Sequence, residues 1–329
     1  MNNKPTSRPI IIPIAGGKGG VGKTFLTANL AIALAELNKT TIVIDLDLGG
    51  SNLYSWLGLK NTYMGIGDFL FSGDMQLSQC IVNDLRQSLS YIPGDGQTSG
   101  LANIKHLQKL KILKSIASLK AEFILLDLSA GATFNTLDFF RMARSSIVVI
   151  SPETTSIMNA LGFFKNFLLR IVSRKFRNNM DVLEILDKFR KQRVDIETNR
   201  FVDVVKKIED SDSAAAAEIR RICQFFMPRI VFNMGRDRDD LSFGKRLSGI
   251  VKEYLMLDVE FIGFLEWDKN VPRSVNKGIP FLDQFPESPT SVSIHKIASR
   301  LVKYGRNRIE NSFEKLYASL EEPKKDSSS

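Results

Sequence analysis

Short apolar runs alternate with longer stretches of helical spacing over the first two-thirds of the chain. Seven runs read as strands: Ile10–Ala15, Thr40–Asp45, Leu89–Ile92, Phe123–Asp127, Ser146–Ser151, Arg229–Asn233 and Val259–Phe264. Most are continuous and rich in β-branched residues, the pattern of strands buried on both faces. Between them Gly22–Leu37, Ile104–Leu119, Phe134–Met142 and Ser156–Ile171 carry helical periodicity. Strand, helix, strand is the βαβ signature. The expected fold is therefore α/β: a doubly wound, mainly parallel sheet with helices on both faces.

From about residue 172 to 226 the rhythm breaks. Met180–Arg193, Thr198–Glu209 and Ser213–Phe226 read as consecutive helices with no strand between them, supported by the Ala214–Ala217 run and the spacing of Val182, Ile185, Leu186 and Phe189. This is expected to be a helical insertion in the α/β core, its 14 basic and 10 acidic residues over 170–229 forming a solvated face. The predicted organisation is one nucleotide-binding domain over residues 1–303, then a C-terminal helix and a disordered tail over 304–329.

Composition narrows the class. The chain has 329 residues, 43% apolar and 25% charged, which excludes disordered, collagen-like and fibrous repeats. The stretch before the first glycines is too short for a signal-peptide core, and no run of about eighteen apolar residues exists. The expected location is the cytoplasm, with the inner face of the cell membrane as a peripheral docking place. Cys80 and Cys223 form no CxxC and have no histidine neighbour, which argues against a disulfide framework or a zinc site. An excess of 45 Lys+Arg over 36 Asp+Glu leaves an anionic partner open.

The chemistry begins directly after the first strand. Gly17-Lys18-Gly19-Gly20-Val21-Gly22-Lys23-Thr24, followed by a helix, satisfies GxxxxGK[ST] in strand–loop–helix context. Glycines let backbone N–H groups wrap a phosphate, and the helix N-terminus adds a favourable dipole. Lys23 is placed to reach the β- and γ-phosphates and the Thr24 hydroxyl to ligate Mg²⁺, so ATP and Mg²⁺ are the expected ligands. The second strand ends in Asp45-Leu46-Asp47-Leu48-Gly49-Gly50-Ser51-Asn52. Carboxylates at i and i+2 share one strand face, and the carboxyl end of a parallel strand is where ligands bind. Phe123–Asp127, four apolar residues and an aspartate, has the Walker B form, in which Asp127 would hold Mg²⁺ through water.

Lys18, a second lysine inside the loop, makes the string KGGVGKT. With these motifs the chain resembles the deviant Walker A ATPases, the MinD/ParA family, and is most similar to its MinD and FlhG branches. The resemblance implies several roles. Lys18 would reach the nucleotide of a second subunit, and Asp47 would position the attacking water. Asp45 would support Mg²⁺, Asn52 would approach from the switch loop, and Leu128–Gly131 would sense the γ-phosphate. Ser151–Ser156 resembles a segment of the dimer face, Asn233 the adenine contact, and Val271–Pro280 the segment flanking the base. The nucleotide-binding positions are then Gly17 through Thr24, with Phe25 and Asn233. The likeness spans roughly residues 9–170 and 228–303. The chain lacks FlhG's N-terminal glutamine motif and the iron–sulfur carriers' CxxC.

The expected function is an ATP-binding and ATP-hydrolysing switch that dimerises with ATP and positions a cellular structure, under a protein activator or cargo. The alternatives are a ParA-like ATPase that binds DNA non-specifically and a nucleotide-sensing regulator with little hydrolysis. The C-terminal pattern bears on this choice. Lys296, Arg300, Lys303, Arg306 and Arg308 occur with no acidic residue among 296–308, and Ile309, Phe313, Leu316, Tyr317 and Leu320 then share one helical face. Such a helix can lie in a membrane interface, pack on the core or a partner, or bind DNA.

Overall fold

The structure, a computed structural model, describes residues 8–94, 101, 104–192, 194 and 200–321. The strands are β1 Ile10–Ala15, β2 Thr41–Leu46, β3 Val82–Arg86, β4 Leu89–Ile92, β5 Phe123–Leu128, β6 Ile147–Ile150, β7 Arg229–Gly235 and β8 Glu260–Glu266. They form one sheet in the order β3-β4-β2-β5-β1-β6-β7-β8. Every adjacent pair is parallel except β3 with β4. This is the doubly wound α/β architecture expected of the sequence. The strand it did not reveal is β3, Val82-Asn-Asp-Leu-Arg86, a short polar segment on the sheet edge. A tight turn with Ser88 at φ 67° returns it to β4, so no crossover helix announces it.

Alternation along the strands divides the core in two. In β5, Ile124, Leu126 and Leu128 face one layer, while Phe123 and Leu125 face the other. The second layer is built on α1 Lys23–Glu36, a central helix with twelve buried residues, four of them alanines. With it pack α2 Leu53–Trp56, α11 Val271–Lys277, α12 Phe281–Gln284 and α13 Pro289–Tyr304. The first layer holds α3 Ile66–Phe71, α4 His106–Ser118, α5 Phe134–Phe140, α6 Thr154–Lys175, α10 Ser242–Leu255 and α14 Ser312–Glu321.

Between β6 and β7 the chain runs through α6 and then α7 Met180–Lys191, α8 Phe201–Glu209 and α9 Ser213–Phe225. The predicted helix ends at Arg193 and at Thr198–Asn199 lie outside the described residues, as does the tail over 322–329. Phe189 of α7, Phe201 of α8 and Ile219 of α9 are buried in the same continuous cluster as the sheet. These helices therefore thicken one layer and have no core of their own.

The C-terminal segment is clasped to the sheet by buried charge. Arg229 Nε donates to Glu260 Oε2 at 2.9 Å, and its two terminal nitrogens donate to Gly305 O and Asn307 O at 2.8 Å each. The backbone N–H of Ile309 donates to the other oxygen of Glu260. Beyond this clasp, α14 lies on β8: the Phe313 ring stands 5.4 Å from Phe261, and Leu316 is buried. Of the three destinations open to that amphipathic helix, packing on the core is the one found. The neighbouring cations serve the same end. Arg300 donates to Ile262 O and to Ser319 Oγ, Lys296 to Ser319 O and Arg306 to Pro9 O. Among the described residues no helix is long and apolar enough to cross a membrane.

Candidate nucleotide site

β1 ends at Ala15, and the glycine-rich loop that follows turns sharply into α1. Gly20 and Gly22 take φ of +77° and +87°, where side-chain-bearing residues are strained. Gly22 is also confined, because a Cβ there would stand 2.1 Å from Asn233 Nδ2. That amide donates to Val21 O at 2.8 Å, so the end of β7 braces the loop from the side. Gly17 lies against the backbone of Asn159 in the second turn of α6, leaving no room for a side chain. The first N–H groups of α1 face the loop, which makes this helix end suited to an anion. Lys23 is itself buried at 7% exposure.

β2 and β5 are neighbours, and their register sets Asp45 directly beside Asp127. Asp45 accepts the backbone N–H groups of Asp47 and Leu53 at 3.0 and 3.1 Å. Asp127 accepts from Thr27 Oγ1 at 3.0 Å. Burial pushes both carboxyls above the usual range. The proximity of Asp127 adds to the rise at Asp45, while Lys23 and the Thr24 hydroxyl oppose it at Asp127. Two adjacent buried carboxylates next to a threonine hydroxyl form a hard-oxygen set suited to Mg²⁺. Among the described residues no cluster of three His, Cys, Asp or Glu could hold a metal alone. An ion here would complete its shell with water and phosphate oxygens.

Asp47 lies just past the strand and its Oδ1 accepts a hydrogen bond from the Ser129 hydroxyl at 2.8 Å. Gly131 N–H donates to Gly16 O at 3.1 Å, so the segment after β5 is tied to the phosphate loop and, through Ser129, to the segment after β2. The result is a cleft of about 390 Å³, within the usual size of small-ligand sites. Gly19, Gly20, Gly22, Lys23, Thr24 and Phe25 line one end, and Asp47, Asn52 and Ala130 flank it. Asn233 and Met234, beside Gly22, join Trp267, Val271 and Pro272 in the rest of the wall.

Not every expected residue opens on this cleft. Gly17, Val21, Asp45 and Asp127 stand behind its surface as support. Phe25 lines it, but its ring is packed edge-on against Trp56 and Phe281 at 5.5 and 5.4 Å. Its bulk therefore joins the layer beneath the site. Lys18 turns sideways and pairs with Glu153 at 2.7 Å, an exposed contact that holds the Glu153 carboxyl below the usual range. The sequence pointed to neither Glu153 as that partner nor Met234, Trp56 and Trp267 as walls. Trp56 and Trp267 are the chain's two tryptophans, and both line this one cleft.

A parallel sheet, a glycine-rich loop running into a helix and an aspartate on the adjacent strand define a nucleotide-binding domain of the P-loop class. The chain belongs to the CobQ/CobB/MinD/ParA nucleotide-binding domain family, whose model matches residues 12–281. It is 33% identical over 199 residues to a MinD-type septum site-determining protein of Emiliania huxleyi, covering 60% of this chain and 70% of that one. Other MinD relatives align over as little as 48% of their length. An uncharacterized ATP-binding protein of Methanocaldococcus jannaschii is 27% identical over 297 residues, 90% of this chain and 89% of that protein. Pyrococcus horikoshii MinD, solved with Mg-ADP, shares the fold with a TM-score of 0.57 at 21% identity, over 91% of this chain and 99% of that one.

Proposed function

We propose that the protein is an ATP-binding and ATP-hydrolysing switch that dimerises with ATP and positions a cellular structure or complex through a protein partner. The observation that carries this reading is the single cleft that gathers Lys23, Thr24 and Asp47, with Asp45 and Asp127 behind it. Lys23 and the loop amides would neutralise charge on the transferring phosphoryl group, and Asp47 would orient water toward it. Thr24, with Asp45 and Asp127 through water, would hold Mg²⁺, which when bound supplies charge neutralisation across the phosphate oxygens. Asn233 would fix the loop against the base end. Lys18 would leave Glu153 and reach the phosphates of a second copy, tying hydrolysis to dimerisation. With Phe313 of α14 packed on Phe261 of β8 and Leu316 buried, a protein partner is favoured over a membrane at that helix.

Asp47→Ala tests the model. The variant should bind ATP normally, as read by the fluorescence of Trp56 and Trp267, fail to hydrolyse it, and sediment as a stable dimer with ATP and Mg²⁺. A monomeric Asp47→Ala in ATP would refute the dimer. Co-sedimentation with liposomes and binding to DNA, each in ATP and in ADP, would expose the membrane and DNA readings.

A further inference from the structure

Positive charge gathers on three neighbouring helices of the first layer. The adjacent helices α4, α5 and α6 together carry seven Lys+Arg against one acid, Asp138. Three of them converge on that carboxylate, whose side chain is fully buried, and Arg141, the residue just after α5, makes a fourth. Lys109 Nζ stands 2.6 Å from it, Arg170 2.8 Å, Arg174 3.0 Å and Arg141 3.8 Å. Burial alone would raise the Asp138 pKa, but the hydrogen bonds from Arg170 and Lys109 outweigh it and hold it at about 2. One carboxylate balances one cation, which leaves three positive charges.

That excess reaches the surface. The side chains of Arg141, Arg174 and Arg170 are 34%, 31% and 22% exposed. Arg141 Nε sits in the packed interior of the knot without a hydrogen-bond partner. Burial and the nearby Arg174 pull the Arg141 pKa down, as expected of a cation held among cations. Beside the knot Phe134 is 67% exposed, with the Arg170 guanidinium 4.3 Å from its ring centroid. Phe134 opens α5 three residues after Gly131, the residue whose N–H is bonded to the phosphate loop.

We propose that the outer face of α4, α5 and α6, centred on Arg141 and Arg174 and rimmed by Phe134, docks an acidic segment of a partner protein that also carries an apolar side chain. Carboxylates from the partner would supply the charge that Asp138 alone cannot, and an apolar side chain would cover the Phe134 ring. Guanidinium groups suit carboxylates through paired N–H donors. The donors form one compact knot beside an aromatic ring and not a row along a groove, which favours a peptide over a nucleic-acid backbone. The proposal extends the switch reading by naming the partner's chemistry. Docking itself is measured without nucleotide, so a failure of the ATPase reading would leave this test intact.

The test is fluorescence anisotropy with a labelled synthetic peptide, EELEELFEELEE, and its counterpart with every Glu replaced by Gln. The acidic peptide should bind the full chain at least about tenfold more tightly than the Gln peptide. The double variant Arg141→Gln/Arg174→Gln should lose about tenfold or more of that affinity, and Phe134→Ser about fivefold. Lys303→Gln/Lys315→Gln, a double change away from the knot, should bind as the parent does. Circular dichroism and the melting temperature would show that each variant is folded. Equal affinity for both peptides, or no loss in the Arg141/Arg174 variant, would overturn the proposal. So would an oligothymidylate that displaces the peptide and needs the same two arginines, which would make the face a nucleic-acid site.

Discussion

Two buried carboxylates, Glu260 and Asp138, are held by arginine in this molecule, and they are built to different ends. Glu260 meets one guanidinium, that of Arg229, and the pair's remaining hydrogen bonds go to the backbone of Gly305, Asn307 and Ile309. Charge is balanced, and Arg229 and Glu260 are about 1% and 3% exposed. Asp138 meets four cations, three of them partly in water, and no second carboxylate joins it among the ion pairs of the described residues. The first cluster is closed and fastens the end of the chain to the sheet. The second is complete as a scaffold but open in charge. A buried ion pair is thus a clasp when its donors are all satisfied inside, and a receptive surface when they outnumber their acceptor.

Breaking the closed cluster should cost most. Arg229→Met leaves the Glu260 charge buried without a partner and should lower stability by about 3–5 kcal/mol in urea unfolding. Arg229→Met/Glu260→Leu should recover much of that loss, because the charge itself is then gone. Asp138→Asn should come next, at about 2 kcal/mol near neutral pH, from the fall in pKa between an ordinary aspartate and about 2. Its folded pKa lies below the unfolded one. The stabilisation is therefore present above about pH 4 and disappears as pH falls toward 2. The stability gap between parent and Asp138→Asn should accordingly close on acidification through that window. The smallest effect belongs to Arg141→Gln, which relieves repulsion as it removes a weak contact and should change stability by no more than about 0.5 kcal/mol. A large loss there would mean that the knot is closed after all, like that of Arg229.

Much of this was legible in the sequence, for identifiable reasons. Strands buried on both faces read as unbroken apolar runs, so seven of them could be placed; β3 escaped because an edge strand needs only a few polar residues and a turn. The glycine-rich loop was legible because its backbone turns through positive φ at Gly20 and Gly22 and because the GxxxxGK[ST] pattern fixes Lys23 and Thr24 in order. Asp45, Asp47 and Asp127 were legible as strand-end carboxylates. The Lys18–Glu153 contact and the walls at Trp56, Met234 and Trp267 join segments far apart in the chain, and no local pattern announces such meetings.

Charge was the poorest guide. The stretch 296–308 holds five cations, yet Lys296, Arg300 and Arg306 donate to groups of their own chain. The knot at Asp138 draws on three separate helices. Its only local traces are Asp138 with Arg141 three residues on and Arg170 with Arg174 a helical turn apart, and such spacings also suit an ordinary solvated helix face.

The helical excursion between β6 and β7 sets an order of assembly. Joining Val148 to Ile230 across α6–α9 closes a long loop, but each doubling of loop length costs only about 0.6 kcal/mol of chain entropy, so the finished fold bears the excursion easily. The consequence is one of timing. During synthesis the phosphate loop and the strands that carry Asp45 and Asp127 are all completed before α6 is made. Asn233 and Trp267 arrive only after α9. A nascent chain would thus possess the glycine-loop wall of its cleft before the wall of Asn233 and Trp267 exists, and β6 would stand as an uncovered edge until β7 pairs with it.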